Sequence, residues 1–281
     1  MRPKTAGELI AVVALLLSAL PPASALSFHS TLDPIKIYPK PGEVVINHAF
    51  QLTLAQGEQT CHFRARVEDW WLSKDGRESF YRDPGSPGGP KHSCASWVKL
   101  SPVEAQVQPG ETLAVKVTVS VPQQVQPGGY WCALTLDELP DPLTAPPGVG
   151  MRLYTSISVG IFVYIGPVER KARITEVRVL SDHAELTVRN EGNCPLGIEG
   201  RLEFLQPGAE KPTDVVVIPR SPVLPEPFNS TTLSVPLRDT QILPSGRYLV
   251  RAILDIGADY YLGVQKEMLV SREAKPLGPA P

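Results

Sequence analysis

The sequence predicts an all-β protein of two tandem immunoglobulin-like β-sandwich domains. Beyond position 26 the apolar residues fall in short runs rich in Val, Ile, Leu and Thr, with no sustained helical period. The 22 Gly and 30 Pro among 281 residues stand between those runs as turn punctuation rather than in low-complexity blocks. The runs come in two successive groups of about seven, the strand count of one sandwich each.

Residues 1–25 read as a cleaved secretory signal peptide. Arg2 and Lys4 give the positive start, Leu9 to Leu20 the apolar run, and Ala23-Ser24-Ala25 the small-residue cleavage site. That run is too short to span a bilayer, and Pro21-Pro22 ends it. The expected location is periplasmic or secreted, without stable membrane insertion. A formal net charge of −2 argues against a nucleic-acid partner.

The first domain is expected over 26–168, with strands at 35–38, 44–54, 60–72, 94–100, 112–121, 130–136 and 152–165. Alternation assigns faces. Leu113, Val115, Val117, Val119 and Val121 point to the core, against Lys116, Thr118 and Ser120, and Cys61, Phe63, Ala65 and Val67 do the same against His62, Arg64, Arg66 and Glu68. Tyr130, two residues before Cys132, has the spacing of a tyrosine corner. The Pro-, Gly- and Asp-rich segments 73–93 and 140–150 are expected to be mobile loops. The second domain is expected over 173–273, with strands at 174–180, 184–190, 197–204, 214–218, 231–237, 248–255 and 263–270, and a disordered Pro-rich tail at 274–281.

Catalysis is not expected. The five His are scattered, and no nucleophile elbow, phosphate-cradling loop or His-Glu-x-x-His motif is present, so the chain is read as no enzyme, with no cofactor and no metal site. Four cysteines allow three disulfide connectivities. A Cys61–Cys94 disulfide is the expected one, tying a strand start to the far end of the 73–93 loop, with Cys194 left over. Trp70, Trp71, Trp97 and Trp131 are expected mainly in packing, with one of the Trp70-Trp71 pair exposed. Between the domains, Arg170, Lys171 and Arg173 are candidates for a basic cleft.

The most informative run is 157–165. Ile157, Val159, Ile161, Val163 and Ile165 make one apolar face, and Phe162 and Tyr164 turn the other apolar too. Such a strand is central in a sheet or an edge that takes up a partner strand. The string Ser93-Cys94-Ala95-Ser96-Trp97, Leu100-Ser101-Pro102, Gln108-Pro109-Gly110-Glu111-Thr112, Val121-Pro122 and Pro127-Gly128-Gly129-Tyr130, followed by this strand, resembles the bacterial periplasmic PapD-like, pilus-chaperone family as a divergent member. The resemblance covers most of the first domain.

It implies a chaperone-like pilus-assembly protein whose last first-domain strand lends alternating apolar side chains, here Ile157, Val159, Ile161, Val163 and Ile165, to an incomplete pilin-like subunit or other extracytoplasmic protein by β-augmentation. The family's anchoring lysine in that strand falls on Gly160 and is missing, and its N-terminal arginine has no assigned counterpart. The alternative is a structural or adhesive cell-surface module that binds polysaccharide or other surface proteins through loops or tryptophans.

Overall fold

The computed structural model describes residues 27–30, 33–81, 91–140, 154–180, 182–237 and 245–270. The expected signal peptide, the tail at 274–281 and most of the 140–150 segment lie outside the described residues. The described chain is all β apart from one 3-10 turn, Ala95–Trp97. No helix among the described residues is long and apolar enough to cross a membrane.

The first sandwich holds β1 (Phe28–Ser30), β2 (Ile35–Ile37), β3 (Val44–Leu54), β4 (Cys61–Leu72), β5 (Glu78–Tyr81), β6 (Val98–Ser101), β7 (Glu104–Val107), β8 (Thr112–Ser120), β9 (Gly128–Leu139) and β10 (Ser156–Ile165). One sheet runs β1-β3-β8-β6; the other runs β2-β10-β9-β4-β5, with β7 also on β4. The second sandwich holds β11 (Ala172–Val179), β12 (His183–Asn190), β13 (Leu196–Leu205), β14 (Asp214–Val223), β15 (Ser230–Pro236), β16 (Gly246–Asp255) and β17 (Tyr261–Val270). Its sheets run β11-β12-β15 and β14-β13-β16-β17.

Period-two patterning builds these sheets. Leu113, Val115, Val117 and Val119 of β8 are buried while Thr112, Ala114 and Ser120 are exposed. Each such buried side chain contributes about 1.5–3 kcal/mol. The tyrosine corner forms, the Tyr130 hydroxyl donating to the Gln126 carbonyl at 3.0 Å. The expected strand at 94–100 starts instead as the 3-10 turn and becomes extended only at Val98.

Part of the expected mobile loop at 73–93 is ordered. Asp75-Gly76 turns the chain, with Gly76 at φ +76°, a conformation that suits glycine. Residues 78–81 return along β4 as β5. The hairpin tip then reaches the second sandwich, where the Thr232 N–H donates to the Lys74 carbonyl at 2.8 Å.

That contact belongs to a broad apolar seam. Trp70, Leu72, Trp131, Ala133, Phe162 and Tyr164, on the outer face of the first domain's larger sheet, share one buried cluster with the core of the second sandwich. Trp71 stacks on Phe228. Gly129 lets the turn before β13 approach: its N–H donates to the Asn193 carbonyl at 2.8 Å, and a methyl group there would come within 2.8 Å of Cys194 Cα.

The expected Cys61–Cys94 disulfide is corrected. The β4–β9 register pairs Glu68 with Ala133, which sets Asp69 level with Cys132. Cys61 lies eight residues from Asp69 along β4, about 26 Å at the rise of a strand, where a disulfide needs Cα atoms less than about 7 Å apart. Cys94 sits beside Cys132, their sulfurs 3.2 Å apart.

Candidate partner-binding edge and interdomain cleft

Strand β10 pairs with β9 along its whole length, from Ser156↔Asp137 to Ile165↔Gly128. On its other side β2 runs parallel to it only at Ile161, Phe162 and Val163. Among the described residues, nothing pairs with that side at 156–159. Hydrogen bonding fixes which groups face it. The Glu138 N–H donates to the Thr155 carbonyl at 2.9 Å, so by antiparallel alternation residues 157, 159 and 161 bond β9. The backbone N–H and C=O groups of Ser156 and Ser158 and the N–H of Gly160 therefore point to the open side, while the Gly160 carbonyl is taken up by β2.

The five apolar side chains expected to reach a partner lie elsewhere. Ile157, Val159, Ile161, Val163 and Ile165 are all buried in the core of their own sandwich. The alternation was legible, but its apolar face is inward. What the strand offers outward at 156–160 is backbone, with the small side chains of Ser156 and Ser158 and none at Gly160. Thr135 Oγ1 lies 2.9 Å from Ser158 Oγ and donates to Glu68 Oε2 at 2.7 Å. Arg66 bonds Asp137, and Ser156 donates to the same carboxylate at 2.5 Å. A hydrogen-bonded polar patch thus lies beside the open edge.

At the other end of β10 the outer face enters a cleft between the sandwiches. Tyr38 and Tyr164 stack at 5.0 Å, and the Arg170 guanidinium lies 5.6 Å from the Tyr164 ring centre. Tyr38, Pro39, Lys40, Pro41, Tyr164, Gly166 and Val168 line an open cavity of about 340 Å³ there. Lys36, opposite Phe162 across the β2–β10 pair, has its pKa lowered by partial burial of its ammonium and by the charges of Arg220 and Arg170, against the pull of Glu199 and Asp33. The Tyr164 phenol is pushed up to about 12, by burial first and by Cys194 and Tyr38 next, against Arg170 and Arg220. Among the described residues Lys36, Arg170 and Arg220 join no ion pair.

Of the basic residues singled out in the sequence, only Arg170 reaches this cleft. Arg173 pairs with Glu191 at 3.2 Å on the surface, and Lys171 is exposed. Lys36 and Arg220 were missed. Alternation in Ile35-Lys36-Ile37 marks Lys36 as outward, but nothing local signals what it faces. Gly160, where a lysine was looked for, has no room for one as the site stands, because a Cβ would come within 2.8 Å of the Phe162 ring. None of the four tryptophans is exposed: Trp70 and Trp131 are buried, and Trp71 and Trp97 are half-buried, Trp97 against Tyr130.

No family model and no curated protein matches the sequence. Solved structures are similar to it in fold. The chain resembles fimbrial chaperones in fold. A chain of the Salmonella enterica SafA pilin–SafB chaperone complex is 12% identical with a TM-score of 0.47, the likeness covering 86% of this chain and 98% of that one. A chain of the CsuC–CsuE chaperone–tip adhesion subunit pre-assembly complex of archaic chaperone-usher Csu pili from Acinetobacter baumannii is 15% identical with a TM-score of 0.45, over 85% and 97%. The Escherichia coli chaperone DraB is 14% identical with a TM-score of 0.41, over 88% and 97%. Likenesses of that size carry no argument about what this chain binds.

Proposed function

We propose that the chain is a periplasmic chaperone-like assembly protein that binds an extracytoplasmic protein, a pilin-like subunit, by adding a strand of that partner to β10. The observation that carries this is the half-open edge of β10: three residues are paired to β2, while the backbone groups of Ser156 and Ser158 and the N–H of Gly160 face outward. An added strand would extend the line of β2 over about five residues, some 16 Å. Backbone hydrogen bonds would supply affinity. The cations Lys36, Arg170 and Arg220, at the far end of the same strand, would hold an anionic group of the partner, a terminal carboxylate being the simplest. Lys36 takes the place of the lysine missing at Gly160.

The test is capture by the tagged full chain, secreted through its own leader, followed by affinity measurement on the purified partner. Substitutions at Ile161 or Val163 do not discriminate, since both are core residues. Ser158→Pro removes an outward N–H and is expected to lower affinity at least tenfold, with Lys36→Glu weakening binding further. Wild-type affinity in both variants would overturn the proposal.

A further inference from the structure

We propose that Cys94 and Cys132 form a disulfide that staples the two sheets of the first sandwich. It stands independently of partner binding. The backbone sets the pair. Residues 92–94 run beside β9: the Trp131 N–H donates to the His92 carbonyl at 2.9 Å, the Cys94 N–H donates to the Trp131 carbonyl at 3.2 Å, and Ser93 bridges Trp131 in parallel. Neighbouring strands lie about 4.8 Å apart, which places the two cysteines within the Cα spacing that a disulfide takes. Their sulfurs already touch at 3.2 Å, and closing to bond length needs a movement of about 1.2 Å.

Flanking contacts hold both partners. Ser93 Oγ donates to Asp69 and accepts from the Ala95 N–H at 3.1 Å. Beside Cys132, the Trp131 indole N–H donates to the Trp70 carbonyl at 2.8 Å, and the Trp70 indole N–H donates to the Cys132 carbonyl at 3.1 Å. Cys94 leads through the 3-10 turn into β6 of the smaller sheet, whereas Cys132 is central in β9 of the larger one.

The oxidant is an external disulfide, R–S–S–R, of a small thiol or a dithiol protein. One cysteine thiolate attacks it, releasing one R–SH and leaving a mixed disulfide. The second thiolate then displaces the other R–SH from that sulfur. In sum two cysteine thiols lose two electrons and two protons, and R–S–S–R becomes two R–SH. Both cysteines are fully buried once the sandwich has closed, and burial, with Cys94 and Asp69 beside it, pushes the Cys132 thiol well up. Exchange therefore precedes closure, and the finished bond is shielded from reductant, which makes it structural rather than redox-active.

The full chain, refolded in a glutathione redox buffer, alkylated in denaturant without reductant and digested, should give a peptide pair joined through Cys94 and Cys132. Alkylation of both cysteines, or linkage of either to Cys61 or Cys194, would overturn the proposal. Because the map uses the native chain, variants that fail to fold do not blunt it. A second measurement separates a bond from two packed thiols: Cys94→Ala, Cys132→Ala and the double variant should each lower the thermal midpoint by a similar amount, on the order of 10 °C. Independent thiols would give additive losses instead.

Discussion

Two adjacent proline substitutions in β10 should have opposite consequences if its edge is open. Ile157 lies in a pair that bonds β9, so Ile157→Pro deletes a ladder hydrogen bond and leaves the Leu136 carbonyl without its partner. The lost bond and the stranded acceptor cost about 2–4 kcal/mol, and loss of much of a buried isoleucine about 1 kcal/mol more. Ser158 is the reverse case. Its N–H faces outward, so Ser158→Pro removes no ladder bond and forfeits only the 2.9 Å contact with Thr135 Oγ1, which keeps Glu68 as acceptor. That loss of about 0.5–1 kcal/mol is offset by the lower entropy of a proline-bearing unfolded chain, about 0.4–1 kcal/mol. Residue 157, already extended, suits the position before proline. At about 2–4 °C per kcal/mol, Ile157→Pro should lower the thermal midpoint by about 10 °C or more, and Ser158→Pro should move it by less than about 3 °C. Calorimetry on the purified chain reads both. Comparable losses would refute the reasoning, because they would mean that the Ser158 N–H has an internal partner and the edge is closed.

Tyr164 gives a pH signature. Its folded pKa of about 12 lies above the ordinary 10.0, so its contribution is fully present below pH 10 and is lost as pH rises through about 12. Wild-type stability should fall across that window with a steeper slope than that of Tyr164→Phe, and equal slopes in denaturant titrations at several pH values would count against the placement of Tyr164. Gly129→Ala should force the turn at Asn193 and Cys194 off the first sandwich, costing about 1–3 kcal/mol. Hydrogen exchange at the Gly129 and Thr232 amides would report the loss, and unchanged protection at both would show that the seam does not depend on that approach.

Much of the fold is legible because period-two patterning and burial say the same thing. The alternation of β8 and the first half of β4 survives residue by residue, and the spacing of Tyr130 to Cys132 does mark a tyrosine corner. The hairpin from β4 to β5 was equally readable, since Asp75-Gly76 is a strong turn signal, but the polar composition around it reads as loop. Other features depend on partners far away in sequence. Residue 94 meets residue 132 only because a short stretch of chain before the 3-10 turn runs beside β9, which no spacing rule encodes. Arg220 comes from the second sandwich and Lys36 from a three-residue strand, and only the assembled fold brings them near each other. Alternation in β10 shows that one face is apolar without saying whether that face looks into its own core or out to a partner.

The ambiguity of β10 has a physical resolution along its length. Both faces are apolar at Phe162 and Tyr164 because the second sandwich covers the outer one there, and the outer face turns polar at Ser158 and Ser156, which are exposed among the described residues. β2 ends its pairing at Ile161, and beyond that point the strand keeps a buried inner face and its β9 partner but, among the described residues, has no neighbour on the β2 side. Ile157 and Val159 belong to that unaccompanied stretch, and Ile157, at 9% exposure, is the least buried of the five inner residues, whereas Ile161 and Val163, next to β2, stand at 0%. An incoming strand in line with β2 would therefore do for Ile157 what Ile35 and Ile37 do for Ile161 and Val163, closing the core from the side while its backbone meets Ser156, Ser158 and Gly160. Selectivity for the partner would then come from the incoming strand's own apolar residues and from the cationic cleft, rather than from side chains that β10 projects outward.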